Sequence, residues 1–308
     1  MSTRGRVALA LGSGGARGYA HIGAVEVLQD RGYEIVTIAG ASMGALVGGL
    51  TAAGSLDAFT DWARTLTRRD VFNLFDVTIS GPGLMRAERV LNKVSEILDG
   101  ARIEDLPIPF TAVATDINTR RPVWFQSGPA DAAIRASISI PGVFTPVVIN
   151  GRLLADGGLV NPVPIEPTAT IDADLTIAIS LTGARAGSAF SPAHESADER
   201  PREEWTERLR ALTERLGIGG KKTHWEDADA EILGPLPAGM RFMDVVNQSI
   251  DTMTDQITRY RMASNPPDIL IDIPADACDV MDFHRADEII ELGRRIATAT
   301  LDRHEAQA

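Results

Sequence analysis

The sequence has very little cysteine and no long apolar run, and both shortages exclude classes of protein. A single cysteine, Cys278, among 308 residues excludes an intramolecular disulfide framework. No stretch approaches the roughly 20 apolar residues that a membrane-spanning helix needs. The apolar run behind Arg4 and Arg6 ends at Gly12, which is too short for a signal peptide. We therefore expect a cytoplasmic protein, with peripheral contact to a membrane as the alternative.

Positive charge is scarce relative to negative charge. Thirty Lys and Arg against 42 Asp and Glu give a net charge of −12. This balance argues against a nucleic-acid partner and against general electrostatic adsorption to anionic lipid. If a membrane supplies the substrate, a local apolar patch must make a transient contact with it. Residues 71–85 are the candidate patch, and a place in the core is the equally weighted alternative.

The length and the apolar content suit one large α/β domain over residues 1–308. Hydrophobic residues make up 44% of the chain, which is enough for a full core. Strand-like and helical patterns alternate through a core of about 6–182. The region 183–240 is rich in Ala, Gly, Ser, Pro and charge, and it predicts a mobile surface insertion. A helix, a strand and a helix follow over 243–303. No metal-ligand spacing is present, so we expect no metal or other cofactor.

Ser42 lies in the pentapeptide Gly40-Ala41-Ser42-Met43-Gly44, between apolar runs over 35–39 and 45–50. A G-x-S-x-G sequence between a strand and a helix is typical of a nucleophile elbow, a sharp turn that exposes the serine hydroxyl. The two glycines leave room where side chains would clash, and the helix N-terminus favours developing negative charge. Taken alone, the pentapeptide would by default be interpreted as an ordinary small-residue loop.

A glycine-rich segment, Gly12-Ser13-Gly14-Gly15-Ala16-Arg17-Gly18, follows the apolar run 7–11 and precedes a helical pattern over 19–30. Such a turn directs several N–H groups at one point and forms an anion cradle. The anion is either a nucleotide phosphate or the oxyanion of an acyl-transfer intermediate. The next strand ends without an acidic residue for a ribose, and no Gly-Lys-Ser/Thr sequence is present. We therefore favour an oxyanion hole.

Two later segments carry weaker signals. The segment Ala136-Ser137-Ile138-Ser139-Ile140-Pro141 ends a helical stretch over 130–137 at a proline. Asp156-Gly157-Gly158 follows two short strand-like runs. The glycines allow this aspartate to approach a partner closely, although an ordinary loop aspartate is the alternative.

These four motifs, in this order, resemble the pattern of the patatin-like phospholipase family. The family pattern is a G-G-x-R/K-G loop, a G-x-S-x-G elbow, an A-S-x-x-x-P segment and a D-G-G/A motif. The likeness covers about the first 180 residues and is similar to the bacterial branch and to the neuropathy target esterase catalytic domain. Asn161–Pro164 and Met281–Asp287 also resemble the bacterial branch. Ser13 replaces the first of three glycines of the plant members.

The resemblance implies a three-layer α/β/α sandwich with a mostly parallel central sheet and a serine esterase acting on lipid acyl esters. By this resemblance Ser42 is the nucleophile and Asp156 the proton acceptor. The implied oxyanion hole is Gly14, Gly15, Ala16 and Arg17. Gly40, Gly44, Gly157 and Gly158 support these motifs. We expect a partly desolvated Asp156 carboxylate, because an ordinary aspartate is a poor base toward a serine hydroxyl. Arg17 either orients the loop by a salt bridge or adds positive potential.

Several alternatives stay open. A Ser-Asp-His triad would use His284, which otherwise caps the last helix, and His21 packs on the first helix or lies near the site. The same acyl-enzyme would serve a thioesterase or an acyltransferase. A non-catalytic lipid-binding protein and a nucleotide-binding module are the alternatives from other classes. The sequence does not fix the length of the acyl chain.

Overall fold

A computed structural model of the chain describes residues 4–74, 76–77, 83–86, 88–184 and 242–307. The strands in these ranges are β1 (Gly5–Leu11), β2 (Tyr33–Ala41), β3 (Asp76–Val77), β4 (Gly83–Arg86), β5 (Phe110–Asp116), β6 (Arg121–Phe125), β7 (Gly142–Phe144), β8 (Val147–Ile149), β9 (Arg152–Asp156), β10 (Leu175–Gly183) and β11 (Ile269–Pro274). The α-helices are α1 (Tyr19–Asp30), α2 (Met43–Ala52), α3 (Leu56–Arg64), α4 (Arg68–Leu74), α5 (Glu88–Leu98), α6 (Ala130–Ser137), α7 (Phe242–Ser264) and α8 (Ala286–Glu305).

The central sheet has the strand order β11-β10-β1-β2-β5-β9-β8, with β6 also paired to β5. The strands β11, β10, β1, β2 and β5 run parallel to one another, whereas β6 and β9 pair antiparallel with β5. The near-continuous apolar sequences of β1, β2 and β10 follow from this position, because helices flank a parallel sheet on its faces. The structure confirms the predicted α/β class with a mostly parallel central sheet.

Helices α1 and α8 cross at very short distance, and two glycines permit it. A Cβ atom on Gly23 would lie 2.0 Å from the Ile290 carbonyl oxygen, and one on Gly293 would lie 2.1 Å from that of Ala20. The close packing of α8 against α1 holds α1 in place, and with it the glycine-rich turn at the N-terminus of α1.

The end of β2 and the end of β9 meet at one place along β5. Strand β2 pairs with β5 as far as Ala41 opposite Val113, and β9 takes up the pairing at Asp156 opposite Ala114. The residue that follows β2 and the last residue of β9 therefore come together. These residues are Ser42 and Asp156.

The chain divides into one compact unit of residues 1–186 and 250–308 and a second unit of residues 187–249. The predicted insertion 183–240 lies almost wholly outside the described residues, so its nature and the single-domain organisation stay predictions. A small sheet, β3-β4-β7, accompanies the central one. No helix in the described ranges is long and apolar enough to cross a membrane.

Candidate active site

Ser42 occupies the sharp turn between β2 and α2. Its backbone has φ 55° and ψ −124°, in the left-handed region that a residue with a side chain rarely adopts. A Cβ on Gly40 would lie 2.2 Å from the Gly44 carbonyl oxygen, and one on Gly44 would lie 2.2 Å from that of Leu11. Glycine is therefore required at both positions, as a nucleophile elbow demands.

The Ser42 hydroxyl donates a hydrogen bond to Oδ2 of Asp156 at 2.5 Å. The other carboxylate oxygen, Oδ1, accepts from the Gly158 amide at 2.7 Å. Ser42 is 3% exposed and Asp156 is 5% exposed. Both carboxylate oxygens are thus engaged, one by the serine and one by the turn that follows β9.

Burial sets the acidity of Asp156. Loss of solvent raises the pKa of this carboxyl to about 6, although the hydrogen bonds from Ser42 and Gly158 act in the opposite direction. The carboxylate is still ionised at neutral pH, and it is a stronger base toward a hydroxyl proton than an ordinary aspartate. The expected desolvation of Asp156 is therefore present.

The Ser42 backbone is held by a hydroxyl group from α6. The Ser42 amide donates to Oγ of Ser137 at 2.8 Å, and this hydroxyl donates to the Val113 carbonyl at 2.6 Å. The sequence placed Ser137 in a motif but gave it no role. Only the fold brings the end of α6 against the elbow.

The Asp156 backbone is held in a similar way. Its amide donates to the Ser139 carbonyl at 2.9 Å, and its carbonyl accepts from the Thr115 hydroxyl at 2.8 Å. Sequence reasoning missed Thr115, because a threonine within an apolar strand gives no functional signal.

The two glycines after Asp156 pack against strand β5 and the glycine-rich turn. A Cβ on Gly157 would lie 2.0 Å from the Val113 carbonyl oxygen, and one on Gly158 would lie 2.5 Å from Oγ of Ser13. These close approaches bring the Asp-Gly-Gly motif, the glycine-rich turn and the elbow to one site.

The glycine-rich turn supplies fewer free donors than predicted. The Ala16 amide donates to the Val280 carbonyl at 2.9 Å. Arg17 lies inside a 3₁₀ helix over Gly15–Gly18. The Ala16 amide is therefore occupied, and the donor roles of Gly14, Gly15 and Arg17 stay predictions. For Gly14 and Gly15, the described residues provide no acceptor for the amide groups.

The Arg17 side chain is tied to protein groups. Its guanidinium donates to the Gly14 carbonyl at 3.2 Å, to the Ala275 carbonyl at 2.8 Å and to Asp251 at 3.3 Å. The side chain is 4% exposed. This arrangement favours the interpretation that Arg17 orients the turn.

An apolar cavity of about 50 Å³ opens beside the serine. Gly15 and Ser42 are among its lining residues. The remaining lining residues, which are apolar or aromatic, are Tyr19, Met43, Leu46, Phe59, Trp62, Leu66, Val90, Ile138, Ile140, Phe144 and Phe283. Four of the aromatic rings also contact one another: Phe59 contacts both Tyr19 and Trp62, and Phe283 lies perpendicular to Tyr19.

Neither candidate histidine is hydrogen-bonded to Ser42 or Asp156. Nδ1 of His284 lies 4.0 Å from Asp282. The alternative that His284 caps the last helix is wrong, because Arg285 is the N-cap of α8 and no side chain caps it. Nε2 of His21 lies 2.8 Å from the Gly12 carbonyl, and burial lowers the pKa of this imidazole to about 4. His21 is therefore neutral at neutral pH and supports the glycine-rich turn.

Two further predictions concern surfaces and metals. In the proposed membrane-contact segment 71–85, the described side chain is that of Val71, which is buried against Phe144 and its neighbours. The side chains of the rest lie outside the described residues. Within the described ranges, no three His, Cys, Asp or Glu side chains form a group that could hold a metal ion.

A family model and several similar proteins point to the same protein family. The family model of patatin-like phospholipases matches residues 9–169. An uncharacterized NTE family protein of Mycobacterium bovis is 44% identical over 99% of this chain and 93% of its own length. The lysophospholipase NTE1 of Cryptococcus neoformans is 34% identical over 53% of this chain and 10% of its own length. Patatin-like phospholipase domain-containing protein 7 of mouse is 31% identical over 59% of this chain and 14% of its own length.

Proposed function

The chain belongs to the patatin-like phospholipase family, and we propose that it hydrolyses carboxylic esters of lipid acyl chains with a Ser42–Asp156 dyad. Membership of the family supports a lipid hydrolase. The observation that carries the dyad is the 2.5 Å hydrogen bond from the Ser42 hydroxyl to a buried carboxylate.

In the first half of the reaction, Oγ of Ser42 attacks the ester carbonyl carbon while Asp156 accepts the hydroxyl proton. The carbonyl oxygen becomes an oxyanion, and the amides of Gly14 and Gly15 are its proposed donors. When the intermediate collapses, the ester C–O bond breaks, and the leaving alkoxide takes the proton from Asp156. The acyl group then remains on Ser42.

In the second half, a water molecule gives a proton to Asp156 and attacks the acyl-enzyme carbonyl. Collapse of this intermediate returns the proton to Oγ of Ser42 and releases the carboxylic acid. Asp156 therefore acts as base, then acid, in each half. A folded-state pKa of about 6 suits both duties better than that of an exposed aspartate.

The cavity supports a fatty-acyl substrate. Its wall beyond Ser42 is apolar and includes Leu46, Phe59 and Trp62, so it favours a hydrocarbon chain over a polar group. Its position at Ser42 would place such a chain with its carbonyl carbon next to the nucleophile. The relative that is named a lysophospholipase makes a lysophospholipid or a phospholipid the first substrate to test.

The test is intact-mass analysis after reaction with an alkyl fluorophosphonate, followed by hydrolysis assays. We expect one adduct on the wild type, located at Ser42. We expect none on Ser42→Ala and a strongly reduced rate on Asp156→Asn. Ser264→Ala, which removes an exposed serine at the end of α7, is the matched control and keeps the wild-type rate.

The assays then compare a lysophospholipid, a diacyl phospholipid and an acyl thioester. Hydrolysis of the lipid esters supports the proposal. Faster turnover of the thioester, or transfer to an alcohol acceptor, would favour a thioesterase or an acyltransferase on the same serine. Absence of an adduct on the folded wild type would contradict the proposal and favour a non-catalytic lipid-binding protein.

A further inference from the structure

A short segment at the end of α6 contacts both residues of the proposed dyad. Residues 137–139, which we call the bridge segment, are the last residue of α6 and the two residues that follow it. Ser137 binds the Ser42 amide through its hydroxyl, and Ser139 binds the Asp156 amide through its carbonyl. Ser42 and Asp156 are 114 positions apart in sequence, yet their backbones share this support.

The single proton of the Ser137 hydroxyl fixes the direction of its two hydrogen bonds. The two neighbours of the hydroxyl are an N–H donor on Ser42 and a carbonyl acceptor on Val113. The hydroxyl therefore accepts from Ser42 at 2.8 Å and donates to Val113 at 2.6 Å. Ser137 is fully buried, so water does not replace either bond.

The other end of the bridge segment is itself fixed. The guanidinium of Arg135 donates to Oγ of Ser139 at 2.7 Å and to the Thr145 carbonyl at 2.8 Å. Oγ of Ser139 donates in turn to the Arg135 carbonyl at 2.9 Å. Movement of Ser139 would break these contacts, so the segment is a rigid reference for Asp156.

We propose that Ser137 is a positioning residue for Ser42: its hydroxyl holds the left-handed backbone of the elbow at the distance from which Oγ reaches Asp156. This inference rests on the proposed function. A residue with a side chain leaves the left-handed region unless its surroundings prevent it. The Ser42 amide is the group next to the strained φ angle, and Ser137 is its partner.

The experiment compares Ser137→Ala, Ser137→Thr and Ser137→Cys with the wild type in ester hydrolysis, fluorophosphonate labelling and thermal unfolding. Thr168→Val is the matched control. Thr168 is buried, and its hydroxyl donates to the Ile165 carbonyl at 2.8 Å, outside the proposed site. The control therefore loses a buried hydroxyl and some stability but no contact with Ser42.

For folded Ser137→Ala we expect kcat to fall about 100-fold, since a small misplacement of a reacting atom has an effect of this size. KM stays close to that of the wild type, and the labelling rate falls in parallel with kcat. Ser137→Thr retains the hydroxyl and recovers most of kcat. Thr168→Val has a lower Tm and an unchanged kcat.

A wild-type labelling rate in folded Ser137→Ala, or a loss no larger than its unfolded fraction, would overturn the inference. If Ser137→Ala does not fold, Ser137→Cys decides, because a thiol is a weaker hydrogen-bonding group of similar shape. A wild-type kcat in that variant overturns the inference equally. If the wild type itself is not labelled, the proposed function fails, and the inference fails with it. Labelling of the wild type but not of Ser42→Ala keeps the two questions separate.

Discussion

The Ser42 hydroxyl and the Asp156 carboxylate form a 2.5 Å hydrogen bond across 114 positions of sequence. The bond exists because β9 begins to pair with β5 at the point where β2 leaves it. The elbow after β2 and the last residue of β9 are then neighbours by sheet register. The pairing of serine and aspartate is therefore built into the backbone, and the hydroxyls of Ser137 and Thr115 refine it.

The first prediction concerns the pH dependence of activity. As the proposed base, Asp156 must be ionised, and burial raises its pKa to about 6. We expect kcat/KM to be constant above neutral pH and to fall as the pH drops through about 6, because protonation removes the base. A pH profile from 4 to 9 with a short-chain ester measures this. His284→Ala is the control, because His284 is the residue that a Ser-Asp-His triad would use. The fall in kcat/KM at acidic pH should be the same in His284→Ala as in the wild type. A loss of activity in His284→Ala as large as that in Ser42→Ala would contradict the dyad.

The second prediction concerns stability. The folded-state pKa of Asp156, about 6, lies above the ordinary aspartate value of 3.8. Between pH 4 and 6 the folded protein keeps a proton that the unfolded chain has released, so rising pH lowers the free energy of unfolding. The variant Asp156→Asn escapes this loss. Its amide can donate to Ser42 while its carbonyl accepts from Gly158.

We therefore expect Asp156→Asn to be more stable than the wild type at pH 8, by on the order of 1 to 3 kcal/mol. The difference should shrink toward pH 4, below which the wild-type carboxyl is protonated in both states. Urea denaturation at pH 4, 6 and 8 measures it. A stability difference that stays constant over this range would show that Asp156 is not desolvated.

The third prediction concerns the acyl chain. The cavity beside Ser42 has a volume of about 50 Å³. A cavity of about 150 Å³ is known to hold one benzene molecule. A long chain therefore meets the wall in which Phe59 and Trp62 contact each other. Trp62→Ala should raise kcat/KM for a long-chain ester relative to a short one by about 10-fold, the lower end of the effect of one methylene in an apolar pocket.

Rates with p-nitrophenyl acetate, butyrate, octanoate and laurate measure this change. Trp62→Phe is the matched variant, because it keeps an aromatic ring in the cavity wall. It should change the dependence of kcat/KM on chain length less than Trp62→Ala does. Identical profiles for the wild type and Trp62→Ala would mean that the chain lies elsewhere.

The fourth prediction separates two roles of Arg17. Arg17→Met removes its hydrogen bonds to the Gly14 and Ala275 carbonyls, and we expect kcat to fall about 10-fold as the turn with the proposed oxyanion donors loosens. Arg17→Lys should not restore kcat, because an ammonium group cannot reproduce the hydrogen bonds of the planar guanidinium group. Asp251→Asn should change kcat less than about 3-fold, since a partly exposed ion pair contributes little. Full activity of Arg17→Lys would instead favour an electrostatic role.

Local sequence was sufficient to predict the motifs and the elements next to them. The elbow needs glycine at 40 and 44 because neighbouring backbone atoms exclude a side chain there. The pentapeptide 40–44 is enough to recognise this constraint in the sequence. The helices α1 and α6 have the bounds that the helical patterns predict, 19–30 and 130–137. The four ordered motifs also indicated the family that the comparisons show.

The sequence was less able to predict which backbone amides of the glycine-rich turn are free to donate. The sequence predicts a glycine-rich turn with several free amides, but the Ala16 amide is used by Val280, 264 positions later. Ser137 and Thr115 had no assigned role for the same reason. A hydroxyl has a function only through the group that packing brings within about 3 Å.

The sequence by itself thus determined which residues could do chemistry, because turn geometry and helix formation depend on near neighbours. Only the tertiary structure decided that Asp156 reaches Ser42, that its pKa rises, and that a small apolar cavity lies beside them. Distance, desolvation and cavity volume depend on segments that are far apart in the chain. Their values follow from the packing of the whole domain and not from any one motif.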